Sequence, residues 1–217
     1  MTPLSISELT GRFLPRKRLK MEDLQRRLRE CTISSPFDKR YFVPNCHIKR
    51  LITRANISNV LGSIRPDFPL EETFTVIAIL VFLGQLNKNT LECLAQNGFT
   101  DNLLPVTYHP SEDRNAILHS NHTGRAVDLS TALNDISCMD FCEDQWRFLA
   151  PVVGGETHSQ YDENIALPII EKGRKTFNGS YGQVFQVRIH HAHLKLREGD
   201  REPVRPAKYH PRRQARD

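Results

Sequence analysis

The sequence predicts an α+β protein in which a mainly helical N-terminal region precedes an antiparallel β-hairpin. Apolar residues recur at helical spacing through much of the first 150 residues, whereas residues 165–194 are rich in β-branched and aromatic residues. Between these parts, the segment "APVVGGETHSQYDEN" at 150–164 has the composition of a linker. We therefore place a boundary near residue 155, between a helical region at 35–154 and a hairpin region at 155–196.

The composition excludes several classes of protein. The chain has 217 residues, of which 39% are hydrophobic and 25% charged, as in globular proteins and unlike disordered ones. Five cysteines are too few, and odd in number, for a disulfide framework. The longest apolar run, residues 74–86, is shorter than the roughly 20 residues that cross a bilayer. We expect a cytoplasmic or nuclear protein with no membrane partner.

The net charge of +5 is concentrated at the two ends of the chain. Basic ends bind nucleic acid in some proteins, but solvated tails are the more common case, so we expect another protein as the partner and not nucleic acid. Residues 1–34 are predicted to form a basic arm and a short helix, and residues 197–217 a charged, disordered tail. The basic residues at the N-terminal end include Arg12, Arg16, Lys17, Arg18 and Lys20.

The first helices follow from the spacing of apolar residues. Residues 20–31 place Leu24 and Leu28 on one face, which indicates a short amphipathic helix. The aromatic, proline-containing segment at 36–44 is typical of an extended stretch laid on a core. Residues 46–62 return to helical spacing, and Gly62 is the predicted stop.

The strongest helical signal lies in "FPLEETFTVIAILVFLGQL", residues 68–86. The run is apolar almost all round, which predicts the buried central helix of a bundle. Glu71 and Glu72 are expected in its first turn, where the helix dipole favours carboxylates. A further helix over 87–98 is predicted to close at Asn97 and Gly98.

The hairpin is predicted from "KTFNGSYGQVFQV" at 175–187, two alternating segments separated by a turn that contains glycine. A lone hairpin is marginally stable in water. It must therefore pack on the helices or on strands from outside this chain.

The turn resembles the glycine-rich loop of protein kinases, G-x-G-x-x-G-x-V. In "FNGSYGQVFQVRIH" the second and third glycines are Gly179 and Gly182, the valine is Val184 and the aromatic residue at the tip is Tyr181. Phe177 stands where the first glycine is expected. The phrases "FDKRYFV", "FTDNLLPV", "QWRFLAPVV" and "ALPIIEK" are also similar to the region before the kinase domain in fungal serine/threonine protein kinase-like proteins.

This resemblance implies the start of a kinase-like small lobe at 155–196 that binds ATP weakly. A glycine has no Cβ, so backbone N–H groups can approach phosphates closely. Lys208, in "VRPAK", is the lysine that the resemblance places nearest to the nucleotide. The implied nucleotide-binding residues are Gly179, Ser180, Tyr181, Gly182, Val184 and Lys208.

Catalysis is not expected, because no H-R-D or D-F-G segment follows the hairpin in this sequence. No catalytic or metal-binding residue is predicted, and magnesium is not expected without the missing lobe. The chain is thus interpreted as a truncated, inactive kinase-like protein. The alternative is a non-catalytic interaction module, an adaptor or pseudokinase-like regulator, whose helical core docks a partner and whose hairpin completes the partner's sheet.

Other side-chain patterns have simpler interpretations. In H-H-x-H at 190–193, His191 and His193 would share one face of a strand and could bind a metal, although no ligand cluster accompanies them in the sequence. Cys138 and Cys142 lack a second cysteine pair and are expected to be core or surface residues. Trp146 is expected to anchor the core at the domain junction.

Overall fold

The computed structural model describes residues 19–109, 117–154, 161–179 and 182–195. These ranges contain helices and small antiparallel sheets, which lie between the helices and after the last of them. This arrangement confirms the α+β class. The helices are α1 (Met21–Glu30), α2 (Asn45–Leu51), α3 (Arg54–Leu61), α4 (Phe74–Leu83), α5 (Lys88–Asn97) and α6 (Asp135–Asp144). The strands are β1 (Ile33–Ser34), β2 (Tyr41–Phe42), β3 (Val106–Tyr108), β4 (Ile117–Ser120), β5 (Ala126–Asp128), β6 (Ile169–Gly179) and β7 (Gly182–Ile189).

Helix α4 lies at the centre of the main core, as its composition predicts. All six residues at 76–81 are buried, and the helix packs against α1, α2 and α6. A helix surrounded on every side can be apolar on every side, which explains the absence of a polar face. No helix in the described ranges is long and apolar enough to cross a membrane.

The N-terminus of α4 differs from the prediction. Glu71 and Glu72 lie in a separate 3-10 helix, Leu70–Glu72, and α4 begins only at Phe74. Its first N–H groups are satisfied from a distant position, because the Asp101 carboxylate accepts hydrogen bonds from the backbone of Thr75 at 2.9–3.0 Å and of Val76 at 2.9 Å. A carboxylate from another loop thus caps the helix and complements its dipole.

Helix ends elsewhere agree with the sequence. Gly62 follows α3 with a positive φ of 94°, and Gly98 closes α5 in the left-handed region at φ 56°. The Asn87 side chain caps the start of α5 by accepting from the N–H of Thr90 at 2.9 Å. These signals are local, and local signals are the ones that a single sequence carries.

A three-stranded sheet, β3–β4–β5, interrupts the helical region and was not predicted. Its strands are only three or four residues long, so they offer too few alternations to be recognised in a polar sequence. Leu118 and Val127 face the core and are fully buried. The buried Gln145 side chain pairs with β3, accepting from the N–H of Val106 at 2.8 Å and donating to its carbonyl at 2.7 Å.

Strands β6 and β7 form the predicted hairpin. The pairing runs from Ile169 opposite Ile189 to Gly179 opposite Gly182, with register shifts in β6 that accommodate its greater length. Segment 36–44, predicted to be extended, contributes β2, in which Phe42 is buried. Trp146 is only half-buried, whereas Gln145 and Phe148, one position before it and two positions after it, are buried, so Trp146 is not the predicted core anchor.

The Asp101 cap makes a prediction about stability. Asp101→Ala removes the acceptor for the first N–H groups of α4 and should lower the free energy of unfolding by about 1–2 kcal/mol. Asp101→Asn keeps one acceptor oxygen and should lose less. Urea denaturation measures both. Asp67→Ala is the control, because the Arg65–Asp67 pair is exposed and should matter little. Equal effects of Asp67→Ala and Asp101→Ala would contradict the cap.

The Gln145 contact makes a second prediction. Gln145→Leu keeps most of the volume but leaves the N–H and carbonyl of Val106 unpaired in the core, and should destabilise the protein by about 2–4 kcal/mol. Thermal and urea unfolding provide the measurement. The matched change Gln96→Leu, at an exposed position of α5, should shift stability by less than about 0.5 kcal/mol. A stable Gln145→Leu variant would show that water or a rearranged strand satisfies Val106.

Candidate functional site

The candidate site is the hairpin with its tip and its base. At the tip, Gly179 and Gly182 lie opposite each other across a two-residue connection, and Val184 pairs with Phe177 further down. The backbone therefore brings three of the six predicted nucleotide-binding residues together. Ser180 and Tyr181, at the connection itself, and Lys208 lie outside the described residues.

The base of the hairpin is held by a buried histidine. His193 has no exposed surface; its Nδ1 donates to the Pro151 carbonyl at 3.1 Å and its Nε2 accepts from the N–H of Asn45 at 3.1 Å. One donor and one acceptor are what a neutral imidazole offers. Burial lowers the pKa of His193, which favours this neutral form. The ring also packs edge-to-face on Phe42, with centroids 5.7 Å apart.

The first residues of the predicted linker are ordered, because they pair with the chain beyond the hairpin. Val153 donates to the His193 carbonyl at 2.7 Å and accepts from the N–H of Lys195 at 2.9 Å. Gly154 follows with φ +117°, and a Cβ there would lie 2.4 Å from the Lys195 carbonyl oxygen. Only glycine fits this position, because both its backbone conformation and the close carbonyl exclude a side chain.

One face of the hairpin packs on the segment before α2. The Lys172 ammonium lies 4.2 Å from the ring centroid of Phe185 and 5.1 Å from that of Phe37, and the two rings meet edge-to-face. The Asp38 carboxylate accepts from the N–H of Leu167 at 3.2 Å, just before β6. Cation–π and ring contacts of this kind orient the strands on the helical region without burying them.

The H-H-x-H segment differs from the predicted strand. Residues His191–His193 form a 3-10 helix, so His193 points into the core while His191 is exposed. The residues that come together are instead Cys46, His190 and His191, whose potential ligand atoms all lie within 4.8 Å of one another. Cys46 belongs to α2 and is far from the histidines in sequence, so no spacing motif could reveal this cluster.

The other cysteines that the sequence singles out do not form a ligand set. Cys138 is buried in α6 and Cys142 is half-buried in the same helix. Burial raises the pKa of both thiols to about 12, which keeps them protonated at neutral pH. Their expected role in the core is confirmed for Cys138, which lies within the main apolar cluster.

A groove of about 850 Å³ lies between the loop at 63–69 and α5. Leu91 and Phe68 contribute apolar surface, and the charged groups on its walls include the exposed Arg65–Asp67 pair. The two charges of this pair lie 2.7 Å apart and neutralise each other. The groove therefore has the shape of a binding site, and Lys88 and Glu92 also line it.

No protein-family model, no curated protein and no solved structure matches this chain. The relationship to protein kinases, inferred from the glycine-rich turn and the phrases before it, therefore stays a prediction. The hairpin and its base are the features on which a functional proposal can rest.

Proposed function

We propose that the hairpin is a weak ATP-binding element of the protein kinase type, carried on a helical region, and that it binds without transferring phosphate. The observation that carries the proposal is the pairing of Gly179 with Gly182 at the tip of a long hairpin. This is the arrangement in which a strand–turn–strand with glycines on both sides can lie over phosphate groups.

Charge along the hairpin also favours an anionic ligand. Between residues 169 and 189 there are four basic residues, Lys172, Arg174, Lys175 and Arg188, and one acidic residue, Glu171. Glu171 forms an ion pair with Arg188 across the strands, so the remaining charge is positive. A local excess of positive charge attracts phosphates to the hairpin and raises their concentration there.

The distance between base and tip supports a division of roles. The base is anchored through His193 and Val153, as described above, whereas the tip lies ten residues along β6. At about 3.3 Å per residue, the tip is roughly 30 Å from Ile169. A ligand at the tip would therefore leave the anchoring contacts undisturbed, and changes at the tip can be tested without dismantling the fold.

The ATP proposal predicts a saturable rise in melting temperature. At ten times the dissociation constant, ATP should stabilise the protein by about 1.4 kcal/mol, or about 3–6 °C. Gly179→Val and Gly182→Val should abolish the shift because a branched side chain blocks the approach of phosphate. Differential scanning fluorimetry with ATP, with and without magnesium, measures it.

The control for this experiment is Ala126→Val, an equivalent enlargement at an exposed position in β5. It should leave the ATP shift unchanged. An ATP shift of the same size in Gly179→Val, Gly182→Val and the parent protein would contradict nucleotide binding at the tip. The absence of any shift in the parent protein would contradict it as well.

A second candidate function is an interaction module, and a specific observation favours it. In the described ranges, β6 and β7 pair only with each other, so each has an outer edge that is free to accept a further strand. An isolated two-stranded sheet gains stability from an added strand. The sequence predicts that the helical core docks the partner. This prediction is wrong for the apolar stretch of α4, because residues 76–81 are buried.

The interaction proposal predicts that a charge on the open edge weakens the complex. Val187, in β7, is 36% exposed, and Val187→Lys should disfavour strand addition without disturbing the core. Co-purification of a defined stoichiometric partner with the parent chain, and its loss in Val187→Lys, would support the module. Ile136→Lys, at an exposed position of α6, is the control. Equal recovery of the partner with all three chains would contradict it.

A further inference from the structure

We propose that Cys46, His190 and His191 form a zinc-binding site that links α2 to the end of the hairpin, with solvent in the fourth coordination position. The inference is independent of the ATP and interaction proposals, because it concerns the opposite end of the hairpin. It rests on the convergence of three side chains of the two types that zinc prefers, thiolate and imidazole, from two separate parts of the chain.

The chemistry of the three side chains selects the metal. One thiolate and two imidazoles provide the nitrogen and sulfur ligands that Zn²⁺ takes in proteins, whereas calcium and magnesium require oxygen. A site with three protein ligands leaves one position for water. No acidic residue belongs to the cluster, so its ligand set is unlike the common groups of surface carboxylates.

The separation of the ligand atoms is compatible with closure around an ion. In the structure these atoms lie within 4.8 Å of one another. Around a tetrahedral zinc ion, nitrogen and sulfur ligands are about 3.3–3.6 Å apart, so side-chain movements of about an ångström suffice. Cys46 is half-buried and His191 exposed, which allows both to adjust and gives an ion access.

His190 is the fixed member of the cluster. It is buried, its ring stacks on His191 with centroids 4.5 Å apart, and its Nδ1 accepts from the N–H of Ala192 at 3.2 Å. An acceptor nitrogen carries a lone pair and no proton, so Nδ1 is the atom available to a metal. Coordination would displace the Ala192 N–H, which lies on a partly exposed turn where water can replace the contact.

Two neighbouring histidines are not ligands. Both nitrogens of His193 are engaged, with Pro151 and Asn45. His47 has its ring 6.4 Å from that of His190, but its Nδ1 lies 2.8 Å from the Arg50 guanidinium, which can only donate. A charged donor thus occupies the Nδ1 lone pair of His47, and His47 does not belong to the group whose ligand atoms lie within 4.8 Å of one another. The proposed site therefore has three protein ligands.

A metal in this position would act as a clamp. Cys46 is the second residue of α2, and His190 immediately follows β7, so coordination would tie the helical region to the hairpin base. The ion would add to the contact that His193 already makes with Asn45. Since the ligands must be brought together by folding, zinc binding would stabilise the folded chain.

The test uses the full chain, reduced and stripped of metal with a chelator. Zn²⁺ should bind with high affinity at one equivalent per chain and raise the melting temperature. Cys46→Ser and His191→Ala should each weaken binding at least about 10–100-fold, the loss that even indirect changes around a zinc ligand cause. Co²⁺ should give a thiolate-to-metal charge-transfer band that disappears in Cys46→Ser. Competition with a chromophoric chelator measures the affinity.

The controls are Cys31→Ser and His122→Ala, a half-buried cysteine and an exposed histidine outside the cluster. Both should bind zinc as the parent chain does. His191 is exposed, so His191→Ala should fold normally and keeps the test decisive if Cys46→Ser is unstable. Zinc binding that is equally strong in His191→Ala and the parent chain would overturn the proposal, as would the absence of a high-affinity equivalent or of the charge-transfer band.

Discussion

Burial of α4 on all sides is the constraint on which the rest of the structure depends. A helix with six consecutive buried residues at 76–81 can be stable only if other elements cover it, and α1, α2 and α6 pack against it. Its unsatisfied N–H groups must also find acceptors within the protein. Asp101 provides them from the 3-10 helix Asp101–Leu103, shortly before β3, and so couples the position of the three-stranded sheet to that of the central helix.

The hairpin depends on this helical region through a small number of polar contacts at its base. His193 joins Asn45, at the start of α2, to Pro151, and Val153 adds a short parallel pairing that requires glycine at position 154. These contacts place three histidines and a cysteine at one junction. The two sites that we propose, for phosphates at the glycine tip and for zinc at the base, therefore lie at opposite ends of the hairpin.

Features set by neighbouring residues were predictable from the sequence. The buried helix, the stops at Gly62 and Gly98 and the hairpin around residues 179–182 all follow from spacing or from the conformational freedom of glycine. The predictions failed where the side chain that interacts with an element comes from a distant part of the sequence. Glu71 and Glu72 were expected to serve the α4 dipole, but the acceptor is Asp101. Trp146 was expected in the core, but Gln145 is buried because it pairs with Val106.

The sequence by itself determined the central helix, from its long apolar run, and the hairpin, from its β-branched and aromatic residues and its glycine turn. These signals lie within one short stretch of chain, whereas the strands of the three-stranded sheet are too short to carry one. Only the tertiary structure decided which side chains meet. Cys46 meets His190 and His191 where the hairpin base packs on α2. The 3-10 helix His191–His193 turns the side chains of its two histidines to different sides. Contacts between residues so distant along the chain leave no trace in local spacing, because they depend on how the elements fold together.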